Sequence, residues 1–108
     1  LSFDIIAGKD YIVINEPIIM ANTNIQFNSE IWQEGDKFVA YAPQLDISSC
    51  GVTVESARNN LTEAIELFFE EAEKLGTLDS ILKESGFIFD RFWQAPEIIA
   101  YEKMKLAI

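Results

Sequence analysis

The stretch from residue 38 to residue 76 constrains the fold most. It joins a strand-like run, a turn-rich connector and the longest amphipathic pattern in the chain. In its second half Val54, Ala57, Leu61, Ala64, Ile65, Phe68, Ala72 and Leu75 recur at three- and four-residue steps, which gathers them on one side of a helix. Thr53 stands where an N-cap is needed, Glu55 where the helix dipole favours an anion, and Gly76 where a left-handed residue closes the last turn. Burying each large apolar side chain of this stripe contributes about 1.5 to 3 kcal/mol. Any fold open to the chain must therefore give this helix a surface to pack on.

The flanking segments offer that surface as strands. Ile25, Phe27, Ser29 and Ile31 alternate with Gln26, Asn28, Glu30 and Trp32, the period of a half-buried strand. A turn at Gln33, Glu34, Gly35 and Asp36 leads into a second run, with Phe38, Ala40 and Ala42 on one face and Val39 and Tyr41 on the other. The two runs read as a β-hairpin. Pro43 and the turn-prone residues 46–51 end it, since proline cannot donate to a ladder and Ser-Ser-Cys-Gly favours a turn.

Beyond Gly76, residues 77–86 read as a short helix capped by Thr77, ended by Gly86 and buried through Leu78, Ile81 and Leu82. Residues 87–93 read as a strand and 98–107 as a last one, with Pro96 between them. Upstream, 11–15 and 18–21 are rich in β-branched residues and are read as short strands. The order of elements predicts an α+β fold, a small antiparallel-rich sheet packed on one long helix, with a second short helix and C-terminal strands. At 108 residues the chain fits a single domain, 1–108.

Charge and residue types narrow the chemistry. Eighteen acidic residues against eight basic ones give a net charge of −10, which repels a phosphate backbone and attracts a basic protein. No nucleic-acid partner is expected. With no histidine and one cysteine, Cys50, the chain cannot build a His-based triad, a histidine-containing or cysteine-rich zinc site, or an internal disulfide. Ser48, Ser49 and Cys50 before Gly51 look superficially like a nucleophile loop, but no general base accompanies them, and a turn role is the expectation. No catalytic residue, cofactor or metal is anticipated. No secretory leader or membrane-length apolar run is evident in the sequence, so a cytoplasmic protein with no membrane partner is expected.

The carboxylates of the long helix lie mostly off its apolar stripe. Six of them on one helix invite a metal reading, but a solvated face, open to a basic partner, is the stronger expectation. Leu67 falls on that polar side, and Glu63, Glu66, Leu67, Glu70 and Glu71 form the candidate partner-binding set. An open sheet edge adds the expectation of a homo-oligomer. A small-ligand pocket lined by Trp32, Tyr41, Phe92 and Trp93 is the alternative.

The run WQEGDKFVAYAPQL at residues 32–45, followed by Gly51, Thr53, Glu55, Ala57 and the long helix, resembles the HicB-like antitoxin family. The family pattern is a hairpin reading Gly-x-Tyr/Phe-Val-Ala-x-x-Pro-x-Leu, then Gly-x-Thr-x-Glu-Glu-Ala, then a helix; the family-like core here spans about 25–76. The resemblance implies a partial ribonuclease-H-like fold and a non-enzymatic role, in which the protein covers and neutralises a small basic ribonuclease toxin. Many members carry a C-terminal DNA-binding domain; the residues after Gly76 show neither a helix-turn-helix nor a ribbon-helix-helix pattern and are not basic. Asp46 and Ile47 also replace the family's common Pro-Gly after Leu45.

Overall fold

A computed structural model describes residues 24–108. The expected strands at 11–15 and 18–21 lie outside the described residues. The fold is α+β, with a long and a short helix and two small sheets.

The first sheet holds β2 (Glu30–Glu34), β3 (Lys37–Ala42) and β4 (Ile47–Gly51), antiparallel and in that spatial order. β2 and β3 form the expected hairpin around Gly35 and Asp36, in the register Ile31 opposite Ala40 and Trp32 opposite Val39. β4 is a correction, because residues 46–51 were expected to form a turn. The turn is confined to 43–46, and Ile47–Gly51 runs back along β3, Ile47 facing Ala42 and Cys50 facing Val39. Low-propensity residues are held in a strand here because β3 supplies the ladder and a helix covers one side.

That helix is α1 (Val54–Leu75), and its ends are built as its sequence predicts. The Thr53 hydroxyl accepts from the Ser56 amide at 3.0 Å while the Ser56 hydroxyl accepts from the Thr53 amide at 3.0 Å, a reciprocal capping box. At the other end Gly76 takes φ 73°, donating to the Glu73 carbonyl, and Thr77 donates to Ala72, which is a Schellman motif. Ala57, Leu61, Ile65 and Ala72 of the stripe are buried, and Ala64 and Phe68 are half-buried. Val54 and Leu75, at the ends, are exposed: the sheet is shorter than the helix.

Ala40, Ala42, Ala57, Leu61 and Ile65 form the first core, with Ile31, Phe38 and Ile47 packed against it. Small residues on β3 let α1 approach closely. Gly51 takes this furthest: a Cβ there would lie 2.6 Å from the Ala57 amide nitrogen and would also collide with the Ser56 hydroxyl.

The short helix α2 (Leu78–Glu84) follows. Thr77 stands at its N-cap, its carbonyl accepting the first bond of α2 from the Ile81 amide at 2.9 Å, but its hydroxyl makes no capping bond to α2 and donates instead to the Ala72 carbonyl at 3.4 Å, so the residue serves both helix ends. Gly86, at φ 89°, donates to Lys83 while Phe87 donates to Leu82, closing α2 with a second Schellman motif.

The second sheet has the order β1 (Ile25–Gln26), β6 (Phe92–Gln94), β5 (Ile88–Asp90), with β1 parallel to β6 and β5 antiparallel to it. It corrects two expectations. The run 25–32 divides into β1 and β2, separated by 27–29, because the two pieces serve different sheets. The run 87–93 is folded on itself at Arg91, whose φ of 70° reverses the chain between Asp90 and Phe92. A third correction concerns 98–107, which forms no strand: after the bond from the Ala95 amide to the Gln26 carbonyl at 2.9 Å the chain leaves the ladder, and alternation without a neighbouring strand makes no sheet.

Ala72, Leu78, Leu82, Phe87 and Trp93 make the second core. Phe27, Leu45 and Phe69 pack against both cores and join them.

Candidate functional site

Glu63, Glu66, Leu67, Glu70 and Glu71 are all exposed, on the side of α1 turned away from the buried Ala57, Leu61 and Ile65. Leu67 is 60% exposed among them. Glu66 and Glu70 are spaced i, i+4, so their charges repel, and the face offers a cation more than it offers its own helix. Among the described residues no group of three or more His, Cys, Asp or Glu side chains is arranged to hold a metal ion.

A second surface is not in the candidate set. Register places Glu30, Trp32 and Glu34 of β2 beside Lys37, Val39 and Tyr41 of β3 on the face of the first sheet that α1 does not cover. Trp32 is 40% exposed there, and its ring lies 6.1 Å from that of Tyr41, edge to face at 72°. The indole Nε1 donates to Glu34 Oε2 at 3.0 Å, and the Tyr41 hydroxyl donates to Asp46 Oδ1 at 2.9 Å. That hydrogen bond holds the Tyr41 phenol above its ordinary value of 10.0, with desolvation and repulsion from Asp46 and Glu30 adding to it. The signal for this face was present in the strands: Trp32, Val39 and Tyr41 give the side opposite Ile31, Ala40 and Phe38 an apolar character of its own, so both faces of the hairpin call for cover.

The four aromatic residues of the pocket reading are not brought together. Trp32 and Tyr41 lie on the first sheet, whereas Phe92 and the buried Trp93 belong to the second. Only Trp93 lines a groove of about 460 Å³ beside α2, together with Phe89, its edge-on partner at 5.3 Å. Lys83, Arg91, Glu73 and Asp79 line the same groove, which gives it charges of both signs beside its two aromatic residues.

Ser48, Ser49 and Cys50 are strand residues of β4. Ser48 and Cys50 point to the open side and Ser49 toward α1, so they do not form a nucleophile loop. The Cys50 carbonyl accepts from Asn60 Nδ2 at 2.8 Å, which ties the end of β4 to the helix.

No protein-family model, curated protein or solved structure matches the chain. Among the described residues no helix is long and apolar enough to cross a membrane.

Proposed function

We propose that this chain is a non-enzymatic protein-interaction module of the HicB-like type, which binds and neutralises a small basic ribonuclease toxin in the cytoplasm. The observation that carries the reading is the acidic side of α1, where Glu63, Glu66, Leu67, Glu70 and Glu71 all stand open on a chain of net charge −10. Such a surface steers a basic protein toward it and repels nucleic acid. The resemblance of residues 31–75 to HicB-like antitoxins supplies the kind of partner. Among the described residues β2 and β4 are edge strands of their sheet, an arrangement that suits self-association into a homo-oligomer.

Coexpression with the product of a short basic reading frame beside its gene tests the reading. The two proteins are expected to copurify, and cell growth and RNA integrity to be restored. Absence of such a frame, or a product that stays toxic in the presence of this chain, overturns it.

A second reading, a stand-alone small-ligand-binding protein, draws on the groove between Phe89, Trp93, Lys83 and Arg91, whose volume falls in the range of small-molecule sites. A thermal-shift screen of small aromatic zwitterions, repeated on Arg91→Ala, separates it from the first.

A further inference from the structure

We propose that the open face of the first sheet seats an arginine side chain of a basic protein partner, on Trp32 and Tyr41 and between the carboxylates of Glu30, Glu34 and Asp46. The inference rests on the proposed basic partner and moves the specific contact from the acidic side of α1 to the sheet.

Both rings have already committed their polar atoms. The Trp32 indole N–H is given to Glu34 and the Tyr41 hydroxyl to Asp46, so what they present outward is ring surface. Among the described residues each carboxylate is engaged there through one named oxygen, Glu34 by Oε2 and Asp46 by Oδ1, and its second oxygen is an acceptor for an incoming donor. An aromatic surface bordered by carboxylate oxygens matches a guanidinium, which stacks on rings and donates in its own plane. A lysine ammonium meets the charge but not the stacking.

Charge excludes the other occupants. Glu30, Glu34 and Asp46 outnumber Lys37 around the rings, so a second copy of the chain would set like charges against one another. The acidic helix side shares the attraction but has no aromatic residue among its exposed members; its one apolar member is Leu67. It therefore draws a basic partner without distinguishing arginine from lysine.

The test uses the full chain with an oligo-arginine peptide and an oligo-lysine peptide of equal charge, measured by calorimetry and by heteronuclear NMR of the two tryptophan indoles. The arginine peptide is expected to bind about tenfold more tightly than the lysine peptide, a cation–π preference. It should move the Trp32 indole signal and leave that of the buried Trp93 in place. Trp32→Ala should remove the preference and Trp32→Phe, which keeps a ring, should restore much of it. Replacing Glu63, Glu66, Glu70 and Glu71 with Gln should weaken both peptides alike. Equal binding of the two peptides, or an arginine preference that survives Trp32→Ala in a variant that melts like the parent, overturns the proposal. In that case binding that falls only in the helix variant leaves the basic-partner reading standing. Failure of the coexpression experiment with the arginine preference intact overturns that reading and not the sheet site.

Discussion

At the scale of single residues, two positions carry consequences that can be measured. The Tyr41 hydroxyl donates to Asp46 Oδ1 at 2.9 Å, and that bond, followed by desolvation and the nearby charges of Asp46 and Glu30, raises the phenol's pKa. A phenol whose folded value is raised contributes stability that is fully present below the ordinary value of 10.0 and is lost as pH rises through the raised one. Phenolate absorbance of the folded protein, with Tyr41→Phe to assign the step, should therefore show Tyr41 ionising above that value. Asp46→Asn should lower the midpoint by removing the repulsion, and an unchanged midpoint would show that Asp46 does not set it. Gly51 is the second position. Its place against the Ala57 amide leaves no room for a methyl group, and backbone cannot move aside as a flexible side chain can. Gly51→Ala is expected to cost about 1 to 3 kcal/mol, the range for overpacking, read from the shift in denaturation midpoint. From local chemistry alone Gly51 reads as a turn glycine. The close approach that requires it comes from the docking of β4 on α1, and nothing within a few residues of Gly51 announces that contact.

Among the elements, those whose ends are fixed locally were the legible ones. The start of α1 is signalled by Thr53 and its stop by Gly76, each acting within a turn of itself, and the β2–β3 hairpin by the turn residues 33–36 between alternating runs; the reciprocal bond from Ser56 is not anticipated. The capping box makes a direct test. Thr53→Ala should remove the acceptor for the Ser56 amide and cost about 1 kcal/mol in chemical denaturation, with Thr53→Ser recovering most of it. A variant as stable as the parent would mean that the first turn is held by the Asn60 bond to Cys50 and not by its cap. β4 was illegible for the complementary reason. Ser48, Ser49, Cys50 and Gly51 have poor strand propensity, and only the β3 ladder on one side and α1 across one face make them a strand. Residues 98–107 fail in the opposite direction: they alternate well, yet the chain leaves the ladder at Ala95 and the alternation finds no neighbour. The candidate site follows the same division. The acidic side of α1 is helical periodicity and could be read, whereas the cradle of Trp32, Tyr41 and Asp46 depends on which strand faces which.

At the scale of the whole molecule, the described residues form two cores with a narrow joint. The first is closed by antiparallel strands and a long helix; the second by the end of α1, the short α2 and strands of two or three residues, with Ile88 71% and Phe89 60% exposed. Phe27, Leu45 and Phe69 serve both cores, and the Gln44 side chain, bonded to Asn28 at 2.7 Å and to the Pro96 carbonyl at 3.2 Å, ties the β3–β4 turn to the segment after β6. The second sheet also depends on the pairing most distant in sequence among the described residues, β1 with β6, where Trp93 donates to the Asn24 carbonyl at 2.9 Å. Closing that long loop is entropically costly and only a two-residue strand rewards it, so the second sheet should open before the first. Native-state hydrogen exchange distinguishes the two. The amides of Trp93 and Ala95 are expected to exchange through a sub-global opening of lower free energy than the one that exposes Leu61 and Ile65. Gln44→Ala should lower the first opening further and leave the second almost unchanged, because the residue touches the joint and not the α1 core. One common opening energy for all four amides would mean that the shared packing of Phe27, Leu45 and Phe69 binds the halves into a single cooperative unit. A separable second half would leave the sheet face and the part of α1 held by Ala57, Leu61 and Ile65 intact while the second sheet opens.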